Sequence, residues 1–434
     1  MLLPRNEAGR RPAAPLGLTR AAFKPNLFDA TIFLLIVGVF VLVTHGIREM
    51  TGPMAQLSAP VTLDPAKLPE YALRTTLRFV AAILASLAFT FVVATLAARS
   101  RKAELVIVPA LDILQSVPVL GFLTFTVAFF LRLFPDSVLG AECAAIFAIF
   151  TSQAWNMAFS FYQSLRTVPR DLDEVARHYR LSPWLRFWRL DVPFAAPGLI
   201  WNTMMSMSGG WFFVVASEAI TVGDTTLMLP GIGLWLALAI QQRDIHAVLL
   251  AVATMAAVIL AYDQLIFRPI VAWADKFRFE QTAADSKPHS WVYDVWRRAR
   301  MLPRITHMVG FLVNRIALLP TPLTRPPGPP QAIATSRRGE AIWMAVLVGL
   351  AAYALWQIVS FTRATLGFED LRLAVIDGLL TLLRVLVLIA LASLVWVPIG
   401  VWIGLRPRLA AALQPVAQFL AAFPANVVFP VAVV

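Results

Sequence analysis

Long apolar runs separated by short charged clusters organise this chain from residue 28 to its last residue. A helix crossing a hydrocarbon layer about 30 Å thick needs roughly 20 mostly apolar residues. Runs of that kind lie at 28–46, 75–97, 105–131, 139–163, 195–217, 245–267, 341–361, 379–404 and 409–434. Pro109 and Pro118 fall inside the third and predict a kink or a re-entrant segment there. Isolated strands leave backbone groups unsatisfied in lipid, so runs of this length predict helices. The pattern predicts an all-α, polytopic membrane protein.

The polar clusters between the runs set an orientation, because lysine and arginine accumulate on the cytoplasmic side. The first 29 residues carry Arg5, Arg10, Arg11, Arg20 and Lys24 against two acids. With that end inside, Arg99, Arg101 and Lys102 also fall inside, as do the segment 166–193, the stretch 272–339, and Arg406 with Arg408. The loops 47–74, 132–138 and 218–244, poorer in positive charge, fall outside. The expected protein is multi-pass with a cytoplasmic N-terminus.

Composition agrees. The chain is 59% hydrophobic and 14% charged, against about 25% charged in soluble domains. Its net charge of +12 forms no single face or stripe, so lipid and not nucleic acid is the partner it suggests. Cys143 is the sole cysteine, which excludes an intrachain disulfide. No small-residue cleavage site follows the first run, so that run is expected to stay as an anchor. The five histidines have no metal-ligand spacing, and no phosphate-binding Gly-x-x-x-x-Gly-Lys-Ser/Thr loop is present, so no metal, cofactor or catalytic residue is expected. The small residues of "MSGGW" at 207–211 lie inside a span, where they suit close helix packing.

Residues 75–118 and 381–424 say similar things. At an offset of 306 to 307, Thr75, Arg78, Ser86, Arg99, Arg101, Pro109 and Pro118 meet Thr381, Arg384, Ser393, Arg406, Arg408, Pro415 and Pro424. Between them the Pro- and Arg-rich stretch containing "TPLTRPPGPPQ" reads as a linker. The expected division is a basic N-terminus (1–29), a first domain (30–271), a cytoplasmic linker (272–339) and the start of a second, truncated domain (340–434). A counterpart of 171–193 would fall near 480.

The segment "DLDEVARHYRLSPWLRFWRLDVP" (171–193) interrupts the apolar pattern with eight charged residues. Leu172, Val175, Ala176 and Tyr179 repeat at helical spacing, with acids at the start and Arg177 and Arg180 at the end, as the helix dipole favours. Ser182-Pro183 starts a second helix, and Trp184, Phe187 and Trp188 give it an apolar stripe. It is either an amphipathic interfacial loop or a docking element for a soluble partner. Asp173 is placed on the face opposite the stripe.

Here the residues resemble the EAA loop of permease subunits of bacterial ATP-binding-cassette importers: Glu-Ala-Ala, three residues, Gly, nine residues, Ile, one residue, Leu-Pro. This chain has Glu174-Val175-Ala176, then Arg180 at the glycine position, then Leu190, Asp191 and Val192-Pro193. Arg180 either takes a strained turn or extends the first helix. The stretch 216–248 is similar to permeases of nitrate, sulfonate and taurine importers in Glu218, Gly231-Ile232-Gly233, Ala239 and Asp244.

The resemblance implies two tandem type I importer permease domains in a bacterial inner membrane. It also implies transport of a small solute, such as nitrate, sulfonate or taurine, with no enzymatic activity in this chain. ATP hydrolysis would belong to a separate cytoplasmic ATPase, in two copies, and specificity to an extracytoplasmic solute-binding protein. ATPase coupling falls by resemblance on Glu174, Ala176, Arg177, Tyr179, Arg180, Val192 and Pro193.

Polar residues within spans, Gln153, Asn156 and Asn202, together with Glu218, either line a pathway or hydrogen-bond between helices. Arg78 and Arg384 either draw anions to the pathway mouth or snorkel to the interface. A secondary transporter or channel without an ATPase would place charges deep in its spans, and the span centres are nearly free of them. An interfacial scaffold is the third class considered. Neither of those two requires the EAA spacing.

Overall fold

The computed structural model describes residues 26–53, 62–117, 119–135, 137–222, 225–277, 290–298, 310–311, 315, 337–365, 367–424 and 427. Most of the linker and the N-terminal basic stretch lie outside the described residues. Among those described, six helical stretches are long and apolar enough to cross a membrane. The protein is a helical, multi-pass membrane protein.

The helices of the first half are α1 (Leu27–Met50), α2 (Leu68–Arg99), α3 (Arg101–Ser116), α4 (Val119–Leu133), α5 (Val138–Arg166), α6 (Arg170–His178), α7 (Pro183–Arg186), α8 (Val192–Glu218), α9 (Ile232–Gln241), α10 (Ile245–Tyr262), α11 (Arg268–Ala274) and α12 (Trp291–Arg298). Those of the second half are α13 (Arg337–Thr365), α14 (Phe368–Gly404) and α15 (Pro407–Ala422).

The third apolar run does not cross as one helix. It breaks into α3 and α4 at Val117, which is extended (φ −77°, ψ 129°) ahead of Pro118, because the proline ring disfavours helical geometry in the residue before it. The last run is interrupted in the same way. Phe423, ahead of Pro424, is extended (φ −75°, ψ 127°) and ends α15, so 409–434 is not one uninterrupted helix. Two other prolines are accommodated differently. Val192-Pro193 and Arg268-Pro269 each follow a five-residue wide turn, 187–191 and 263–267, in which the residue before proline donates five positions back. Widening the turn relieves the clash of the ring with the preceding helical carbonyl.

One hairpin departs from the all-α expectation. β1 (Ala219–Val222) pairs antiparallel with β2 (Thr225–Met228), with Ala219 opposite Met228 and Val222 opposite Thr225. Ile220, Thr221, Val222, Thr225 and Thr226 are β-branched and favour paired strands over a helix end.

The core lies among α2, α5, α8, α9 and α10. Along α2 the buried positions Leu68, Tyr71, Ala72, Thr75, Arg78, Phe79, Ala82, Ile83 and Ser86 recur every three or four residues, one stripe of a helix. Phe79 stacks on Trp211 with ring centroids 3.9 Å apart, and Tyr262 meets both edge-on. The apolar side chains of α13 and α14 are instead exposed along almost their full length, while Phe419 and Phe423 of the α15 end pack on the core of the first half.

Candidate functional site

Arg78 and Arg99 of α2 each organise a group of charged side chains, besides the smaller one in which Arg74 pairs with Glu49 and Glu70. Arg78 and Arg99 are 21 positions apart, about 32 Å at the helical rise.

The first group is fully enclosed. Arg78 Nε and Nη2 donate to the two oxygens of Glu142 on α5, at 2.5 and 2.7 Å. Its Nη1 donates to Glu218 Oε1 at 2.7 Å and to the Pro230 carbonyl at 3.0 Å. Thr75, one turn earlier on α2, donates its hydroxyl to the same Glu218 oxygen at 2.7 Å and accepts from the Ile232 amide at 3.0 Å. The Gly233 amide donates to Glu218 Oε2 at 2.6 Å. Every one of these side chains is at most 1% exposed.

The glycines make this closeness possible. A Cβ at Gly231 would lie 2.3 Å from the Glu218 carboxylate, and one at Gly233 would lie 2.3 Å from the Val215 carbonyl. The cluster therefore clasps α2, α5, the end of α8 and the start of α9 together. Ala239 is packed in the core, and Asp244 caps α10 by accepting from the Ala247 amide at 3.0 Å. The Glu–Gly-x-Gly–Ala–Asp pattern thus has a packing reason at each position.

The second group surrounds α6 and is partly open to solvent. Asp191, the last residue of the wide turn before α8, is 1% exposed and pairs with Arg99 of α2. Arg186 of α7 lies 3.6 Å from Asp191 and 2.5 Å from Asp173 of α6, which also binds Arg177 at 2.5 Å. Burial would raise the Asp173 carboxyl, but Arg186 and then Arg177 outweigh it and hold it below the ordinary carboxylate range. Its contribution to holding α6 is therefore present above the ordinary carboxylate pKa and lost as pH falls through the lowered one. Nearby, Tyr162 of α5 donates to Glu104 at the start of α3.

The strained alternative at the glycine position is the one adopted. Arg180 is left-handed, with φ 48°. The Leu181 amide donates to the Ala176 carbonyl at 3.0 Å and the Arg180 amide to the Arg177 carbonyl at 2.9 Å, the bonding that closes a helix at a left-handed residue.

The residues singled out in the sequence fall into three settings. Glu174, Val175, Arg177, Tyr179 and Arg180 are exposed on α6 and its end, with Tyr179 73% exposed. Ala176 faces the protein instead and is buried, so the stripe of the sequence pattern is split between two surroundings. Val192 and Pro193 are half-buried at the start of α8, and Val192 packs against the cluster around Phe161 and Phe187. Phe187 itself meets Phe91 and Phe161 edge-on, so part of the second stripe is core rather than membrane interface. Asp173 is not on a free face, because it holds two arginines.

Among the pathway candidates, Glu218 and Gln153 are enclosed within the helix bundle. Gln153 has no hydrogen-bond partner for its amide and lies beside Gly210. Asn156 is exposed on α5, and Asn202 accepts from Ser206 at 3.5 Å. The structure does not bring the four together. None of them lines the apolar cavity of about 370 Å³ between α8, α10 and α15, bordered by Met204, Met207, Phe267 and Phe419. Arg78 is neither a snorkelling side chain nor an open anion lure, since both need an accessible guanidinium. Arg384 by contrast is exposed on α14. Glu142 and Asp191 were missed. Their signals were an acid five residues into an apolar helix and an acid in the unspecified position of the loop motif.

Among the described residues no group of three or more histidine, cysteine or acidic side chains is placed to hold a metal ion. Residues 91–267 match the family described as the binding-protein-dependent transport system inner membrane component. The chain is 30% identical over 121 residues to the bicarbonate transport system permease protein CmpB of Synechocystis sp., a match covering 28% of this chain and 41% of that protein. To CmpB of Synechococcus elongatus it is 28% identical over 134 residues, 31% of this chain and 45% of the relative. To the nitrate import permease protein NrtB of Leptolyngbya laminosa it is 24% identical over 274 residues, 60% of this chain and 92% of the relative. The matches thus span less than half the length of the two bicarbonate relatives.

Proposed function

We propose, from the premise that residues 91–267 belong to the family of binding-protein-dependent transport system inner membrane components, that this chain is the membrane permease of an ATP-driven importer. Its solute is a small anion, of the size and charge of nitrate or bicarbonate, with sulfonates and taurine the neighbouring choices. Its partners are a cytoplasmic ATPase, in two copies, and an extracytoplasmic solute-binding protein. The face carrying α6 is cytoplasmic, as is the N-terminus.

The observation that carries this reading is the form of α6. It is a nine-residue helix at the Arg99 end of the bundle, and Glu174, Val175 and Tyr179 are exposed on its outer face. A helix so short is not stable through its own hydrogen bonds. An exposed apolar and acidic edge held in place by its neighbours suits a docking surface.

The second half is a partial second copy of the same unit. α3 (101–116) and α15 (407–422) both follow a long apolar helix, and each boundary of α15 lies 306 residues after that of α3. Both end at an extended residue ahead of a proline.

Docking is tested by co-purification. Glu174→Ala and Tyr179→Ala should reach normal abundance, since exposed substitutions change stability by less than about 0.5 kcal/mol, yet lose the ATPase and ATP-driven uptake. Wild-type ATPase association in both variants would remove the docking reading. Orientation is tested in a Cys143→Ala background with a cysteine at position 178. An impermeant thiol reagent should label it only after the membrane is opened, and labelling from outside intact cells would reverse the assignment.

A further inference from the structure

We propose that Asp173, Arg186, Asp191 and Arg99 form a positioning link that orients α6 on the bundle and transmits its movement to α2. This rests on α6 being the ATPase-docking helix. The four side chains come from three successive parts and one distant helix: the first turn of α6, the end of α7, the wide turn before α8, and the last turn of α2. Charges alternate along the series, and each neighbouring pair is within ion-pair distance. Asp191 is the fixed node, being 1% exposed, while Arg186 and Asp173 are 18% and 21% exposed.

Other contacts do not replace this link. Phe187 anchors the segment after α7 in the aromatic cluster with Phe91 and Phe161, but α6 reaches the bundle through little else than Ala176 and half-buried Leu172. The closing turn at Arg180 is bonded entirely within 176–181. A docking helix free to tilt would bind its partner and still fail to move the spans. The ion series supplies the missing stiffness: Arg186 lies 2.5 Å from Asp173 on α6 and, at the longer ion-pair distance of 3.6 Å, beside the buried Asp191 that precedes α8. Asp191 is in turn held by α2. Neutralising a member should therefore leave the partner attached and impair transmission.

The test uses the complete transporter, permease with its ATPase and binding protein, in proteoliposomes. Uptake per ATP hydrolysed is measured for Asp173→Asn, Arg186→Gln and the double variant. Each single variant is expected to keep the ATPase bound and to lower that ratio by roughly fivefold or more, the size of a typical coupling between sites. The double variant should be no worse than the worse single one, because both break the same link. Asp173→Glu, which keeps the charge, should retain most of the ratio. Unchanged uptake per ATP in Asp173→Asn overturns the proposal, as do fully additive losses in the double variant. Should Arg186→Gln fail to accumulate, Asp173→Asn against Asp173→Glu decides alone. The docking reading fails separately. If Glu174→Ala and Tyr179→Ala both keep the ATPase, α6 is not the docking helix. If Glu174→Ala loses the ATPase while Asp173→Asn couples normally, only the link is wrong.

Discussion

The ion clusters around Arg78 and Arg99 of α2 use the same chemistry in opposite surroundings. Around Arg78 one guanidinium serves two carboxylates with no access to solvent, and its contacts reach α5, the end of α8 and the turn before α9. Around Arg99 the guanidinium is 38% exposed, and beyond the buried Asp191 the series runs outward through partly wetted side chains. Burial raises both the strength of a pair and the cost of leaving one member alone. Exposure lets water take over when a partner is removed. The first cluster is therefore a fixture of the fold. The second is a joint between α6 and the bundle, and losing it leaves the rest of the fold standing.

Removing the central arginine of each cluster gives the largest contrast. Arg78→Met strands Glu142 and Glu218 together in a dry site, and removing one partner of a buried pair costs about 3–5 kcal/mol. Membrane abundance and the melting temperature in detergent should fall sharply. Arg99→Gln strands one buried carboxylate where Arg78→Met strands two, and it leaves Asp191 with Arg186 still 3.6 Å away, so its stability loss should be the smaller of the two. Similar losses in the two variants would break the distinction between fixture and joint. A melting loss for Arg99→Gln with normal coupling would assign the second cluster to structure as well.

The same contrast explains what the sequence could reveal. Spacing along the chain locates helices, prolines that end them and the loop motif, because those depend on neighbours within a turn or two. The break at Pro118 and the split between α3 and α4 were legible for that reason. The clasp was not, since Arg78 meets acids 64 and 140 residues away, and an arginine near a span end looks the same whether it snorkels or is buried. Thr75 and Arg78, one turn apart, showed a shared face without showing what it met.

On α6 the spacing identified Glu174 and Tyr179, both exposed, but it assigned Ala176 and Tyr179 to one surface when the bundle takes one and leaves the other. The hairpin at 219–228 was hidden because threonine, valine and isoleucine suit apolar spans as well as strands. Charge in the spans was also undercounted. Arg78 is ten residues into α2, Glu142 and Glu218 are near the ends of α5 and α8, and the three are paired with one another.

The smallest effect concerns Arg180, where both clusters are left intact. A left-handed L-residue costs about 1–2 kcal/mol relative to glycine. Glycine in turn gives the unfolded chain more freedom, which costs about 0.4–1 kcal/mol. The strain is the larger of the two, so Arg180→Gly should stabilise the end of α6 by about 0.5–1 kcal/mol. The backbone bonds from Leu181 to Ala176 and from Arg180 to Arg177 need no side chain at position 180. Arg243, at φ 55°, closes α9 with the same pair of bonds, from Asp244 to Ala239 and from Arg243 to Ile240. Arg243→Gly is therefore a matched control far from the docking helix. Both variants should melt slightly higher than wild type, and ATPase co-purification should stay unchanged in both. If Arg180→Gly loses the ATPase while Arg243→Gly keeps it, the Arg180 guanidinium is itself part of the docking surface. If both melt lower, the turns are not strained.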